Sequence, residues 1–168
     1  MDKPRISIIV AVDEKHGIAK NGRLLVRIRE DHQRLRAITT GHPLVMGRKT
    51  FIEFPKLLPN RTHIVITRDP KALDGHAPQP HHIVSSLEEG IAVAKKAEGN
   101  DEIFVFGGGQ IFKEALEKDL VDRLYVTEVK GDYDADTFFP DYSQFTKVLE
   151  KEEKESDGYQ YTFLTLEK

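Results

Sequence analysis

The chain has 168 residues, 39% of them hydrophobic and 32% charged, with a formal net charge of −3 and no cysteine. This length suits one domain, residues 1–168, that buries both a core and a small-molecule pocket. The small net charge and scattered basic residues argue against a nucleic-acid partner, and the missing cysteines exclude disulfides and thiolate chemistry. Because no long apolar run and no amino-terminal signal pattern occur, we expect a cytoplasmic protein without a membrane partner.

The first half of the chain predicts buried strands separated by helices. Residues 5–12, RISIIVAV, are nearly all apolar or β-branched, which is typical of a central strand covered on both faces. A polar loop with an Asn21-Gly22 turn signal follows, and an apolar helical period then runs across residues 28–38. Residues 43–47 and 61–67 predict two further strands, with a helical turn between them.

The second half continues the alternation and then changes character. The predicted elements are strand 81–86, helix 86–97, strand 102–109, helix 110–118 and strand 122–129. Residues 146–156 and 158–168 alternate like strands around an Asp157-Gly158 turn signal. They therefore predict an antiparallel hairpin at one edge of the sheet.

This order of elements predicts an α/β fold. We expect three layers: a mostly parallel, twisted sheet of about eight strands, helices on both faces, and an antiparallel carboxy-terminal strand. Ligands bind such sheets beyond the carboxyl ends of the parallel strands. Those ends fall at residues 11–22, 46–50, 67–70, 106–112 and Thr127.

The seven histidines do not have the spacing of a metal site. No helical i, i+4 pair has an acidic neighbour, so we expect no bound metal. His81 and His82 are expected at the start of a strand. The full set is His16, His32, His42, His63, His76, His81 and His82.

Two strand ends carry glycine beside a predicted helix start. In FVFGGGQIF (104–112) and VMGRKT (45–50), glycine lets the backbone approach a bulky ligand, and the helix start offers N–H groups to an anion. Arg48 and Arg68 suit an additional phosphate, such as the 2'-phosphate of NADPH. Taken singly, each glycine run is equally well explained as a tight turn, and each arginine as a solvated surface charge.

Several longer motifs point to one family. ISIIVAV, PLVMGRKTF, LLPNRTHIVITRD, EIFVFGGGQIF, LYVTEV and DADTFFPD occur in the order and spacing found in dihydrofolate reductases. The sequence resembles that family over nearly its whole length. The resemblance implies NADPH-dependent reduction of 7,8-dihydrofolate to tetrahydrofolate by hydride transfer, in support of one-carbon metabolism, and we expect a monomer.

The resemblance also implies roles for individual residues. Asp31 would bind the pterin ring and act with Thr127 in catalysis, while Arg61 would pair with the α-carboxylate of the folate glutamate. The other substrate-binding residues would be Ile9, Val10, Ala11, His32, Leu35, Phe54, Leu58 and Phe106. The cofactor-binding residues would be Ala11, Ile18, Gly47, Arg48, Lys49, Thr50, Thr67, Arg68, Gly107, Gly108, Gly109, Gln110, Ile111, Phe112 and Thr137. The peptide between Gly107 and Gly108 would be cis.

The loop after the first strand departs from the family pattern. Ala19 stands where a glycine is usual, and Leu24-Leu25-Val26 replaces a Leu-Pro-Trp. The indole that covers the substrate is therefore absent, and Val26 cannot donate a hydrogen bond in its place. His32 stands where an apolar residue is common; its side chain faces either the pocket mouth or solvent.

The adjacent acids Glu30 and Asp31 have two explanations. Both stand at a predicted helix start, where the helix dipole favours negative charge by under about 1 kcal/mol. The residue pattern alone favours this explanation for both. With the resemblance, Asp31 becomes the expected acid-side residue of the reaction, and Glu30 faces outward.

Two other functions remain open from the sequence. A related-fold reductase of riboflavin synthesis, acting on a ribosylated pyrimidine, would share the cofactor half without requiring Asp31 and Arg61 together. A catalytically weak nucleotide- or folate-binding protein would fit the missing Leu-Pro-Trp.

Overall fold

A computed structural model describes residues 3–168 of the chain. The strands are β1 (Arg5–Val12), β2 (Gly17–Lys20), β3 (Arg23–Leu24), β4 (Leu44–Gly47), β5 (His63–Ile66), β6 (His82–Val84), β7 (Glu102–Val105), β8 (Arg123–Val129), β9 (Thr137–Phe138), β10 (Lys147–Ser156) and β11 (Tyr159–Glu167). The helices are α1 (Arg29–Thr39), α2 (Arg48–Phe51), α3 (Leu87–Ala94) and α4 (Gly109–Glu117). No helix within residues 3–168 is both long and apolar enough to cross a bilayer.

Eight strands form the main sheet, in the order β10-β11-β8-β1-β7-β4-β5-β6. All neighbours from β8 to β6 pair in parallel, whereas β11 pairs antiparallel with both β8 and β10. The carboxyl ends of six parallel strands therefore lie along one edge, with the β10–β11 hairpin at the side. This arrangement confirms the predicted α/β fold.

Alternate residues of each strand pack on opposite faces of the sheet. Val45 belongs to the core cluster that includes Ile91 of α3 and Ala115 of α4. Its neighbour Met46 belongs to a second cluster with Phe51 of α2. Because successive strand side chains point to opposite faces, these two clusters place helices on both sides of the sheet, as predicted.

Helix α1 packs on β8 and β11. Ile28, directly before the helix, is 1% exposed and packs with Val129 and Phe163. The Arg34 guanidinium lies 4.6 Å from the ring centroid of Phe163, and its Nη2 donates to Glu150 Oε1 at 3.0 Å. These contacts fix the orientation of α1 over the carboxyl end of β8.

The loop after β1 differs from its prediction. Part of it forms a second sheet in the order β3-β2-β9, in which β2 pairs antiparallel with both neighbours. The buried carboxylate of Asp13 supports this region: Oδ1 accepts from the Gly17 N–H at 2.8 Å, and Oδ2 accepts from the Tyr133 N–H at 3.1 Å. Strands β2 and β3 are too short to show a local periodicity, and β9 lies more than a hundred residues further along the chain, so the sequence pattern did not reveal this sheet.

Several element ends also differ. The predicted strand 102–109 ends at Val105, although the Phe106 N–H still donates to Val45 O at 2.8 Å. Gly107 and Gly108 then lie in a short loop before α4, which begins at Gly109. Strand β6 begins at His82 rather than at His81.

His63, the first residue of β5, is a fully buried ionisable group. Its side chain is 0% exposed, and burial lowers its pKa from 6.5 to about 4. Its Nε2 accepts a hydrogen bond from the Leu58 N–H at 3.2 Å, which requires an unprotonated nitrogen. The fold therefore holds the neutral imidazole.

This depressed pKa predicts a pH-dependent stability. Because the folded state binds fewer protons at His63 than the unfolded state, the free energy of unfolding should fall as pH falls from about 6.5 to about 4. The contribution is on the order of 3 kcal/mol. Urea unfolding of wild type and His63→Gln should show the difference between their unfolding free energies shrinking across this window. A difference that stays constant with pH would contradict a neutral, buried His63.

Candidate active site

Asp31 lies in the first turn of α1 and faces β8. Its Oδ1 accepts a hydrogen bond from Thr127 Oγ1 at 2.5 Å. Thr127 is 1% exposed, while Asp31 is half-buried. In β8, Thr127 pairs in register with Ala11 near the end of β1. The carboxylate is thus held at the carboxyl edge of the parallel strands, where ligands bind α/β sheets.

Glu30 has a different environment from its neighbour. Its Oε2 accepts a hydrogen bond from Tyr161 Oη at 3.1 Å and pairs with Lys154 Nζ at 3.1 Å. Successive helix residues point about 100° apart, so Glu30 is turned toward the β10–β11 hairpin. The two carboxylates therefore have different partners: Glu30 links α1 to the β10–β11 hairpin, and Asp31 faces the carboxyl edge of the sheet.

An apolar wall lies beside Asp31's end of the sheet. Ile9, Phe54, Leu58 and Phe106 pack in one cluster, and the rings of Phe54 and Phe106 meet edge-on with centroids 6.1 Å apart. All four side chains are half-buried, which leaves them surface for a ligand. Cluster membership thus brings together four of the predicted substrate-binding residues.

Three other predicted substrate-binding residues, on β1 and α1, differ in how their side chains pack. Ala11 and Leu35 are half-buried at the end of β1 and on α1. Val10 packs instead with the cluster under α3 and α4, because side chains alternate along β1. Its side chain therefore does not join the Ile9 wall, and its role in lining the pocket stays a prediction.

Arg61 is a buried cation beside this wall. It is 9% exposed, and its guanidinium donates to Pro59 O at 3.0 Å, Thr39 Oγ1 at 3.3 Å and Thr40 Oγ1 at 3.1 Å. Burial, and secondarily the nearby charge of Arg36, lowers its pKa. Within residues 3–168 no carboxylate pairs with it, so its positive charge suits an anionic ligand group.

Thr39 and Thr40 hold the Arg61 guanidinium through their hydroxyls, a contact that the sequence did not predict. They end α1, and both hydroxyls also donate back to helix carbonyls, Thr39 to Leu35 O and Thr40 to Arg36 O. Each oxygen remains available to accept from Arg61. Nothing in the local pattern of a helix end signals this contact, because Arg61 lies some twenty residues further along the chain.

The two glycine-bearing strand ends touch each other. The Gly47 N–H donates to Gly107 O at 2.8 Å, and the Gly107–Gly108 peptide is cis, as the resemblance implied. Gly107 has a φ of 116°, and a Cβ there would lie 3.2 Å from Phe112 Cζ. The Thr50 hydroxyl lies 3.5 Å from where a Cβ of Gly108 would stand. The bare backbone and a hydroxyl therefore share one small surface.

The small β3-β2-β9 sheet packs against Gly109, the third glycine of the run. A Cβ on Gly109 would lie 2.9 Å from Thr137 Cγ2 and 3.9 Å from Ile18 Cδ1. Glycine is favoured here because a Cβ would displace the Thr137 side chain of β9. This close packing brings together Gly109, Thr137 and Ile18, three predicted cofactor-binding residues from distant parts of the sequence.

Helix α4 starts at this same place. Gly108 occupies its N-cap position and supplies no side-chain cap. Gln110 is exposed and Ile111 is half-buried in the first turn, whereas Phe112 is buried. The uncapped first turn leaves N–H groups available to an anion.

Basic side chains follow the neighbouring strands β4 and β5. Gly47 and Ile66 pair in register, so Arg48 and Arg68 leave adjacent strand ends. Arg48 is half-buried, Lys49 and Arg68 are exposed, and none of the three forms an ion pair within the described part of the chain. Thr67 is half-buried, and its Oγ1 accepts from the Asp69 N–H at 3.2 Å.

The loop that departs from the family pattern leaves apolar surface open. Leu24 is 62% exposed, while Val26 packs against the Ile28 cluster. His32 is half-buried, and its ring makes no hydrogen bond within residues 3–168. Those residues also contain no cluster of three His, Asp or Glu side chains arranged to hold a metal ion.

Comparisons with known proteins identify the family of the chain. A family model described as dihydrofolate reductase matches residues 5–168. Proteins named dihydrofolate reductase from Staphylococcus haemolyticus and Bacillus subtilis are each 34% identical to the chain; the alignments cover 95% and 97% of it and 93% and 94% of those proteins. One from Aedes albopictus is 30% identical over 98% of the chain and 97% of its own length. The chain belongs to the dihydrofolate reductase family.

Proposed function

We propose that the protein reduces 7,8-dihydrofolate to 5,6,7,8-tetrahydrofolate with NADPH, in support of one-carbon metabolism. The observation that carries the proposal is the Asp31 carboxylate, held by Thr127 at the carboxyl edge of the sheet. The apolar wall lies to one side of it, and the glycine surface of Gly47 and Gly107 belongs to the same edge.

Asp31 suits the pterin ring by charge and geometry. A pterin edge presents adjacent N–H donors, and a carboxylate accepts both, which fixes the orientation of the ring. Thr127 donates to Oδ1 and thereby restricts the rotation of the carboxylate. The negative charge of Asp31 also stabilises the positive charge that develops as the ring nitrogen gains a proton, directly or through water.

Arg61 suits the other end of the substrate. The apolar rings of the wall would contact the aromatic part of the tail, and the guanidinium would pair with the α-carboxylate of the glutamate. Two hydrogen bonds to threonine hydroxyls and one to Pro59 O hold the guanidinium in place before a ligand binds. Pre-ordered donors lower the entropy cost of binding.

The glycine surface fits a dinucleotide cofactor. A Cβ on Gly109 would meet Thr137 at 2.9 Å, and one on Gly107 would meet Phe112 at 3.2 Å, so bare glycine backbone and the Thr50 hydroxyl form this surface. Thr50 would hold phosphate oxygens by its hydroxyl, and Arg48 with Arg68 would bind the 2'-phosphate. When bound, NADPH supplies the hydride. The further cofactor-binding residues would be Ala11, Ile18, Gly47, Lys49, Thr67, Gly108, Gln110, Ile111 and Phe112.

The alternatives have less support. A pyrimidine reductase of riboflavin synthesis would not need Asp31 and Arg61 together, yet both are held in place here. A weak binding protein would not need the Thr127 contact to Asp31. The relatives named above carry the name dihydrofolate reductase.

The direct test is to follow loss of NADPH absorbance with purified protein and dihydrofolate. The proposal expects steady turnover that requires both ligands. Binding of NADPH without consumption of dihydrofolate at high enzyme concentration would refute it.

Replacing Asp31 tests its proposed role in the protonation of the pterin ring. Asp31→Asn keeps the shape but loses the charge, so kcat/KM for dihydrofolate at pH 7 should fall by roughly 100-fold or more. The matched control is Glu30→Gln, which loses the ion pair with Lys154 but should stay within about twofold of wild type. Equal losses in the two variants would mean that helix-start charge, rather than the position of Asp31, is what matters.

Replacing Arg61 tests the assignment of the substrate tail. Arg61→Ala should raise KM for dihydrofolate roughly tenfold to 100-fold, with little change in KM for NADPH, because it removes a charge-assisted pair. Arg36→Ala is the control, since Arg36 is an exposed cation near the same place. If KM for NADPH rose instead, Arg61 would belong to the cofactor site.

Replacing the strand-end arginines tests cofactor choice. Arg68→Ala and Arg48→Ala should each narrow the preference for NADPH over NADH roughly tenfold, by weakening the pairing with the 2'-phosphate. The preference is the ratio of the two kcat/KM values at saturating dihydrofolate. Lys95→Gln serves as a control for the general loss of positive charge. An unchanged ratio in both arginine variants would refute their assigned role.

A further inference from the structure

His63 lies directly behind the apolar wall. Its ring meets Phe54 edge-on at 6.0 Å and Phe51 at 6.2 Å between centroids, and it stacks on His81 at 5.5 Å. The side chain is fully buried, so it does not itself offer a surface to a ligand. Any role in binding must therefore act through the residues that it touches.

Two hydrogen bonds determine the state of this ring. The Leu58 N–H donates to Nε2 at 3.2 Å, which makes Nε2 the unprotonated nitrogen. Nδ1 then carries the proton and donates to Arg61 O at 3.1 Å. Both ring nitrogens therefore have a hydrogen-bond partner: Nε2 accepts and Nδ1 donates.

These bonds bridge the two ends of one short turn. Residues 58–61 run from a wall residue, Leu58, to the buried cation, Arg61, through Asn60 with a φ of 60°. Arg61 Nε donates to Pro59 O inside the same turn. The imidazole is thus the brace that joins the main chain of Leu58 to the main chain of Arg61.

We propose that His63 is a positioning residue for the substrate tail, which sets the affinity for the aromatic and glutamate part of dihydrofolate through Leu58 and Arg61. This inference rests on the proposed reduction of dihydrofolate. The pterin end is held separately, because Asp31 and Thr127 lie on α1 and β8, which the His63 ring does not bond. His63 therefore affects binding of the substrate tail and not the chemistry at the pterin ring.

Two substrates distinguish these ends. Dihydrofolate has the tail, whereas 6-methyl-7,8-dihydropterin presents the same ring edge without it. His63→Phe keeps an aromatic ring but removes both hydrogen bonds, and it should raise KM for dihydrofolate roughly tenfold with kcat within about twofold. The kcat/KM for the tail-less dihydropterin should stay within about twofold of wild type.

His63→Gln provides a graded variant. Its side-chain oxygen can take the place of Nε2 and accept from the Leu58 N–H, but no atom of glutamine then occupies the position of Nδ1, which donates to Arg61 O. KM for dihydrofolate should therefore rise by about half as much on a logarithmic scale. His82→Gln is the matched control, since His82 is an exposed histidine on the neighbouring strand β6. It should leave both substrates unchanged.

The outcomes separate this inference from the proposed function. If wild type reduces neither substrate, the proposed function fails. If wild type is active but both His63 variants leave KM for dihydrofolate unchanged, or weaken both substrates equally, the positioning role is overturned. Should His63→Phe not fold, the His63→Gln measurement decides: a selective rise in KM for dihydrofolate supports the role, and an unchanged KM overturns it.

Discussion

The hydrogen bond from Thr127 Oγ1 to Asp31 Oδ1 joins α1 to β8, and the proposed pterin-binding end of the site depends on it. Thr127 is fixed by the ladder with β1 and β11, so its hydroxyl is a rigid reference point for the carboxylate. Packing of Ile28 before the helix and the Arg34 contact with Phe163 then prevent α1 from turning Asp31 away. A carboxylate held in this way keeps one geometry for the proposed contact with the pterin.

The rest of the site follows the same constraint, that a buried polar group must find partners. Arg61 uses two threonine hydroxyls and a carbonyl, and His63 uses one N–H and one carbonyl of the same turn. Asp13 holds the loop on the other side by accepting from Gly17 and Tyr133. Each group thereby orders the backbone beside the proposed ligand instead of only stabilising the core.

The sequence predicted the elements with strong local periodicity. The apolar run of β1, the carboxy-terminal hairpin and the glycine-rich turn before α4 are each encoded within ten or twenty residues. The β3-β2-β9 sheet was not predictable in this way, because β9 follows β2 only after more than a hundred residues. Nor was the alternation that turns Val10 away from the wall, or the separate partners of Glu30, since both depend on tertiary packing. The resemblance, rather than the local pattern, singled out Asp31.

A crystal structure of the protein with NADPH and folate would test the proposed roles of Asp31 and Arg61 most directly. It should show two ring N–H groups of the pterin on the Asp31 carboxylate, with Thr127 Oγ1 still bonded to Oδ1. The glutamate α-carboxylate should lie on Arg61, and the nicotinamide should lie on the glycine side of the pterin. A pterin bound away from Asp31, with the carboxylate in contact only with Thr127 and solvent, would rule out the proposed role of Asp31.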